Sequence, residues 1–119
     1  MQSMFMEANN LTTIPSNAPN LGNVTNMSMM FVRAMNFNQP VNHWDVSNIT
    51  NMNMLFDTTL FNQPVDKWNV SHVTNMQQLF NHTPFNQPLS SWNVSSVTNM
   101  YAMFGQATAF NQPLNNWDV

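Results

Sequence analysis

The sequence predicts an α/β repeat solenoid, in which short repeated units wind one after another around a shared core. Three observations lead to this prediction. One ten-residue stretch recurs almost unchanged, the composition is strongly biased, and two hydrophobic spacings alternate within each unit. We expect about five units, each with one short parallel strand and a short helix or 3₁₀ turn. A globule with one irregular core is the alternative class.

The recurring stretch reads FNQPVNHWDV, FNQPVDKWNV, FNQPLSSWNV and FNQPLNNWDV. The full unit follows F-N-Q-P-[VL]-x-x-W-x-V-S-x-[VI]-T-N-M-x-x-[LM]-F and returns every 24 or 25 residues. We therefore treat 1–119 as a single repeat domain and expect it to be a segment of a longer array. Its units are 1–10, 11–36, 37–60, 61–84, 85–109 and the partial unit 110–119.

The unit 11–36, called the irregular unit below, departs from this pattern. Its first part reads LTTIPSNAPNL, carries no Trp and is one residue longer than its counterparts. The segment before it still resembles a repeat, since Met1, Met4, Phe5 and Ala8 match Met100, Met103, Phe104 and Ala107. We expect the first winding of the chain to be irregular.

Two hydrophobic spacings within each unit predict its secondary structure. Trp68 and Val70 are two residues apart, which is the spacing of one face of a strand. A helical spacing follows, and Thr74 stands where a helix N-cap would. The residues with helical spacing are Val73, Met76, Leu79 and Phe80. The Pro of each N-Q-P ends this helix and turns the chain toward the next strand.

Equivalent residues of stacked units are expected to form columns, because each strand would pair with the same strand about 4.8 Å away. The predicted structural columns are Trp44, Trp68, Trp92 and Trp117; Phe56, Phe80 and Phe104; and Asn51, Asn75 and Asn99. Asn26 is predicted to belong to the same column as Asn51. A further predicted column consists of Asn38, Asn62, Asn86 and Asn111. Asn amides carry both donors and acceptors, so these columns are predicted to satisfy turn backbone.

The charge content excludes several classes of partner. Charged residues make up 6% of the chain, its net charge is -3, and Arg33 and Lys67 are its permanent cations. Nucleic acid is therefore not expected as a partner, and neither is an anionic membrane surface. No apolar run is long enough for direct membrane insertion. The absence of Cys rules out disulfides and thiolate metal sites.

The motifs FNQPLNNWDV and VSSVTNMYAMFGQATAFNQPL resemble the BspA-like bacterial surface protein repeat of about 25 residues. This repeat is found in mycoplasma lipoproteins, Gram-positive wall proteins and algal proteins, and it is grouped with the leucine-rich repeats. The resemblance covers Val24 to Val119 and, more weakly, Met1 to Leu21. It implies a leucine-rich-repeat-like fold, an extracellular or cell-surface location and no catalytic residues. Val73 stands where the leucine-rich consensus places its ladder Asn, so the match to that consensus is partial.

No set of residues predicts catalysis, a cofactor or a metal site. His43, His72 and His82 occupy three different columns, and catalysis needs unlike groups that converge. One column could offer oxygen ligands to Ca²⁺ at about 5 Å intervals. It contains Asp45, Asn69, Asn93 and Asp118, and since its two end members alone are charged, a hydrated surface is the favoured interpretation. We expect no enzyme activity.

The variable positions around each predicted strand are the best candidates for binding. They are expected to share one face that is polar, nearly uncharged and free of aromatic anchors, which suits weak contacts with a surface glycan or protein. An ordinary solvated face is the alternative. These positions are Asn42, His43, Asp45, Asn48, Asp66, Lys67, Asn69, His72, Ser90, Ser91, Asn93 and Ser96.

Seven N-x-[ST] sequons could accept N-linked glycans in a eukaryotic secretory setting. They begin at Asn10, Asn23, Asn26, Asn48, Asn69, Asn81 and Asn93. In W-N-V-S these sequons could equally be a by-product of repeat chemistry.

The predicted function is a non-enzymatic extracellular scaffold for adhesion or surface display. The alternative is a structural subunit that stacks end to end into a surface fibre, because neither end of the sequence shows a polar cap. A third hypothesis is ice binding, motivated by the columns Ser47, Ser71 and Ser95 and Thr50, Thr74 and Thr98.

Overall fold

The computed structural model describes residues 2–119, and Met1 lies outside the described residues. Within 2–119 there is no helix, and β-pairing is limited to isolated parallel bridges. The bridges join Asn26 to Asn51, Asn51 to Asn75, and Asn75 to Asn99. The prediction of an α/β repeat solenoid with a leucine-rich-repeat-like strand and helix in each unit is therefore wrong. The units instead lie against one another as a stack of turns.

Runs of turns, called turn segments below, stand where helices were predicted. They span 2–7, 28–33, 53–58, 77–82 and 101–106. Two residues of each segment have left-handed φ values, for example 52° at Gln78 and 53° at His82. An α-helix needs negative φ at every residue, so these two residues prevent continuous helix formation.

The amides of the first four turn segments donate forward, to the unit that follows in sequence. They join Met52, Met54, Phe56 and Thr58 to the carbonyls of Asn75, Gln77, Leu79 and Asn81, over 2.8–3.2 Å. The same four-bond pattern connects 27–33 to 51–57 and 76–82 to 99–105. We call this pattern the forward ladder. The hydrogen bonds of the forward ladder offset the conformational free energy of the left-handed residues, which is roughly 1–2 kcal/mol each.

The predicted strand at Trp68 and Val70 is also absent, because its backbone turns back on its own unit. The Trp68 amide donates to the Val65 carbonyl at 3.1 Å, and the Val73 amide donates to the Val70 carbonyl at 3.0 Å. Parallel pairing between units occurs a few residues later, where the Thr74 amide donates to the Thr50 carbonyl at 2.8 Å. Trp68 and Val70 still point into the core, with 3% and 1% of their surface exposed.

Stacked phenylalanines form the centre of the core. Phe56 and Phe61 stack face to face with ring centroids 3.8 Å apart, and Phe80 and Phe85 repeat this pair at the same distance. Each pair also stacks on the next, since Phe56 lies 5.9 Å from Phe80 and Phe61 lies 6.1 Å from Phe85. The columns bury every ring of these two pairs completely. This burial is the main apolar contribution to stability.

Three of the four tryptophans connect their unit to the one before it. Trp68 and Trp92 stack in parallel at 6.5 Å, with an interplanar angle of 6°. Each indole nitrogen donates to a backbone carbonyl of the preceding unit: Trp68 to Val41 at 2.9 Å and Trp92 to Val65 at 2.9 Å. Trp117 makes the same bond to Leu89 at 3.0 Å. The bond satisfies a buried donor.

The Asn and Gln of each F-N-Q-P connect neighbouring units through side chains. The Asn62 side-chain oxygen accepts the Asn86 amide at 2.9 Å and the Gln87 side-chain amide at 3.1 Å. The second column differs, because the Asn75 side-chain oxygen accepts the Gln77 amide of its own unit at 2.9 Å. The first Asn column therefore joins units. The second closes a turn within each unit, and its Asn99 side chain also donates to Gln77 of the preceding unit at 3.0 Å.

Candidate functional site

A polar face runs along one side of the stack and is formed by 42–48, 66–72 and 90–96. Trp and Val alternate inward in these stretches, which turns the residues between them outward. All the side chains predicted for binding lie on this face, and all except the half-buried Asn42 are exposed. They are Asn42, His43, Asp45, Asn48, Asp66, Lys67, Asn69, His72, Ser90, Ser91, Asn93 and Ser96.

Some variable residues of the polar face join units to one another. Asn48 and Ser96 donate to carbonyls of the preceding unit, over 2.9 and 2.7 Å. The equivalent residue His72 has its Nδ1 2.9 Å from the Ser47 carbonyl, which requires the proton on Nδ1 because a carbonyl can only accept. Asn, His and Ser thus make the same contact. The residue type varies in this column. Interchangeable hydrogen-bond donors explain that variation as well as ligand binding does.

A second set of side chains on the polar face also makes contacts between units. The Asn42 side-chain amide donates to Asp66 at 2.9 Å, and the Lys67 amide donates to the Asn42 side-chain oxygen at 3.0 Å. The Ser91 hydroxyl then donates to the Asp66 carbonyl at 2.8 Å. These side chains support the surface and have less freedom to meet a partner.

The column that was considered for Ca²⁺ closes local turns. Asp45 accepts the Ser47 hydroxyl at 2.6 Å and the Ser47 amide at 3.1 Å, and Asn69 accepts the same groups of Ser71 at 2.7 and 3.1 Å. The hydroxyl bond, followed by the amide bond, holds the pKa of Asp45 below its ordinary value. Asn93 accepts the Ser95 amide in the same way at 3.1 Å, and Asp118 is exposed.

Three of the side chains predicted for binding make no side-chain hydrogen bond within residues 2–119. They are His43, Lys67 and Ser90, and all three are exposed. Their donors are available to a partner without breaking a contact between units. They are the strongest binding candidates on the polar face.

The His and acidic side chains are scattered over the part of the chain that the structure describes. No three His, Asp or Glu side chains of residues 2–119 lie close enough to hold a metal ion. The nearest His and carboxylate are His82 and Asp57, whose Nδ1 and Oδ1 atoms are 3.7 Å apart. The predicted Thr column donates to backbone, with the Thr74 hydroxyl 3.2 Å from the Thr50 carbonyl. None of residues 2–119 forms a helix able to cross a membrane.

The sequons differ in accessibility. Asn81 is buried, with 6% of its surface exposed, and donates to Asp57 at 2.9 Å, so a glycosyltransferase could not reach it in the folded chain. Asn26 is half-buried, and Asn48 donates to the Gly22 carbonyl. The remaining sequon residues are exposed: Asn10, Asn23, Asn69 and Asn93.

Sequence reasoning missed a second candidate site, a partly open cavity of about 260 Å³ beside the irregular unit. Its lining is largely apolar and consists of Phe5, Ile14, Pro15, Asn17, Pro19, Met30 and Trp44. Trp44 is 6% exposed, and its indole nitrogen is buried with no hydrogen-bond partner among the described residues. The missing Trp in LTTIPSNAPNL was the signal that could have predicted it.

The stacked, turn-rich repeats with one polar face define a repeat protein without regular secondary structure. A family model described as a mycoplasma protein of unknown function, DUF285, matches residues 1–117. The chain belongs to this family. Neither the comparison with curated proteins nor the comparison with solved structures gave a match. The sequence resemblance is confirmed in its coarser part, membership of a mycoplasma protein family.

Proposed function

We propose that the chain is a non-enzymatic repeat scaffold that acts in adhesion or display at the cell surface, the location that its resemblance to BspA-like surface repeats implies. The observation that supports this proposal is the polar face, which extends over successive units and carries unpaired donors at His43, Lys67 and Ser90. The other predicted binding side chains are held by hydrogen bonds between units or within local turns. The free donors therefore stand on a surface that is fixed by its own contacts, with one donor in each of three successive units.

Surface glycans are the partner class that suits this face best. Its available groups are hydroxyl, imidazole and ammonium donors, which can bond sugar hydroxyls, and it lacks the aromatic anchors of tight protein interfaces. Each contact is therefore weak. Several contacts along one stack would bind together, because a rigid repeat holds the later sites near the ligand once the first is occupied.

A glycan array and a host-protein pulldown test the proposal, with the chain displayed multivalently on beads. We expect retention on a subset of glycans, and we expect the triple variant H43A/K67A/S90A to lose most of it. The control variant His82→Ala changes an exposed side chain in a turn segment, away from the polar face, and should bind like the original chain. Binding by neither assay, or equal loss in the control, contradicts the proposal.

End-to-end association is a second candidate, and the forward ladder favours it. Among residues 2–119, the amides of Met100, Ala102, Phe104 and Gln106 have no backbone acceptor, whereas they match the donors of earlier turn segments. The carbonyls of Gln2, Met4 and Met6 match the acceptors of later segments and receive no amide within that range. An isolated chain of these 119 residues therefore carries donors on one end and acceptors on the other. In a longer array, adjoining repeats would pair with the same groups.

Light scattering across a dilution series tests association of the isolated chain. Head-to-tail pairing is heterologous and does not close, so the mean mass should rise steadily with concentration. A constant monomer mass at every concentration contradicts the fibre hypothesis and leaves the adhesion proposal unaffected.

A further inference from the structure

The two ends of the stack are stepped, because each end carries half of a winding. At one end, 110–119 lies against the preceding unit, to which the Trp117 indole donates, and no further turn segment lies beside it among the described residues. At the other end, the turn segment 2–7 lies against 28–33 with no F-N-Q-P stretch before it. We call the uncovered side of 101–106, next to 110–119, the open step. The half-winding that the open step lacks is the half present at the other end.

The backbone groups left without partners at the two ends match in kind and spacing. Three amides of the last turn segment and three carbonyls of the first one have no backbone partner among the described residues. They are the amides of Ala102, Phe104 and Gln106 and the carbonyls of Gln2, Met4 and Met6. The forward ladder uses these same positions, since the Phe80 amide donates to the Met103 carbonyl at 2.9 Å. A segment like 2–7 placed on the open step would form three more ladder bonds.

The apolar side chains at the open step have the exposure expected of a missing neighbour. Phe80 and Trp92 are 0% and 3% exposed, whereas the equivalent Phe104 and Trp117 are half-buried beside a cavity of about 350 Å³. The column of stacked rings that ends at Phe104 begins at Phe5, with centroid spacings of 5.4–5.9 Å. Phe5 is also half-buried. A second Phe5 stacked on Phe104 would continue this column and bury both rings.

The charges of the two ends are compatible with this arrangement. In the ladder register, Glu7 would lie against the uncharged Gln106, so no like charges would meet. Glu7 already pairs with Arg33, its equivalent in the next unit, at 3.2 Å. This pair shows that side chains at equivalent positions of stacked units come into contact.

We propose that the open step binds the turn segment 2–7 of a second copy of this chain, in the register of the forward ladder. Residues 110–119 of one copy and 2–7 of the next then form one composite winding, with Phe104 stacked on Phe5. This inference rests on the end-to-end association proposed for the chain of these 119 residues, and it specifies the register and the contact residues. It does not depend on the polar face.

Cysteine cross-linking tests the register, because the chain has no Cys of its own. A Gln106→Cys chain is mixed with a ¹⁵N-labelled Glu7→Cys chain and oxidised, and intact mass identifies the mixed dimer. Both positions are exposed, and equivalent residues of stacked units lie about 5 Å apart, within reach of a disulfide. We expect this dimer to form at least about tenfold faster than in a control mixture of Gln106→Cys with His43→Cys, because His43 lies on the polar face.

Charge variants at position 106 test the same contact without a cross-link. Gln106→Arg places a cation against Glu7 of the second copy, whereas Gln106→Glu places a like charge there. We expect the association constant from light scattering at low salt to rise about twofold to fivefold with Arg and to fall by a similar factor with Glu. The exposed side chain of Gln106 makes either change compatible with folding.

The outcomes separate this inference from the fibre hypothesis. If the mean mass rises with concentration but the mixed dimer forms no faster than in the control mixture, the copies associate through another surface. The proposed register is then overturned, while the fibre hypothesis stands. Equal association of Gln106→Arg and Gln106→Glu overturns the register in the same way. A constant monomer mass overturns both.

Discussion

Trp44 and Trp92 occupy the same position of their units but differ in their surroundings. Trp92 stacks on Trp68 and donates its indole proton to Val65, whereas Trp44 faces a cavity and has a buried, unpaired indole nitrogen. The difference originates in the preceding unit, where LTTIPSNAPNL replaces FNQPVDKWNV. The difference shows that each Trp depends on the preceding unit for its hydrogen-bond acceptor and its stacking partner. One degenerate unit therefore leaves its defect in the unit that follows it.

The largest effect is expected on the free energy of unfolding when the first apolar residue of a regular unit is replaced. The same replacement in the irregular unit serves as the comparison. Phe61→Ala should lower the free energy of unfolding by about 3–5 kcal/mol, because the ring is fully buried and stacked on both Phe56 and Phe85. Leu11→Ala should cost about 1 kcal/mol, since Leu11 is half-buried beside the core. Urea unfolding measures both, and equal costs would show that the irregular unit packs as tightly as the others.

Tryptophan substitutions sharpen the comparison between Trp44 and Trp92. Both Trp→Phe changes remove similar ring volume, but Trp92→Phe also removes the bond to Val65, while Trp44→Phe removes an unsatisfied buried donor. We expect Trp92→Phe to be more destabilising than Trp44→Phe by about 1–2 kcal/mol in urea unfolding. The reverse order would mean that the Trp44 indole has a partner in solution.

Removal of a side-chain contact between units should have a smaller effect. Asn62→Ala leaves the half-buried Asn86 amide without its acceptor and should cost about 1–2 kcal/mol of unfolding free energy. Asn111→Ala is the matched control, because within residues 2–119 no amide donates to the exposed Asn111 side chain, and it should cost under about 0.5 kcal/mol. Similar losses from both would contradict the role of this Asn column in joining units.

The smallest expected effect concerns pH. The Ser47 bonds lower the folded-state pKa of Asp45, so their contribution to stability is present above the unfolded pKa and is lost as pH falls through the folded pKa. Ser47→Ala should therefore raise the Asp45 pKa toward its ordinary value, as measured by NMR titration. Ser71→Ala removes the equivalent hydroxyl next to Asn69, which does not titrate, and should leave the Asp45 pKa unchanged. An unchanged pKa in Ser47→Ala would contradict the assigned cause.

The period of the chain and the identity of its core rings could be predicted from sequence, whereas its secondary structure could not. The spacing of Val73, Met76 and Phe80 is helical, but a run of turns with three-residue hydrogen bonds produces the same spacing. Left-handed φ values usually indicate Gly, Asn, Asp or His, yet here residues such as Met54 and Gln78 adopt them. The forward ladder stabilises these conformations, and it exists only once units are stacked.

The candidate sites show a similar division. Exposure of the polar face followed from the alternation around Trp68 and Val70. The contacts that tie His72 and Ser96 to preceding units could not be predicted, because they depend on which carbonyl lies beside each column. The unpaired indole of Trp44 beside the cavity could not be predicted for the same reason. An absent Trp is visible in the sequence, but the unpaired indole belongs to the next unit.

The forward ladder also bears on how such a chain can change length. Because each turn segment inside the stack gives amides to its successor and carbonyls to its predecessor, each boundary between regular units presents the same complementary pair of surfaces. Duplication or deletion of one whole 24-residue unit would restore matching surfaces at the new junction, whereas a partial unit would shift the register. Gain or loss of complete units is therefore the change in length that this backbone tolerates most easily.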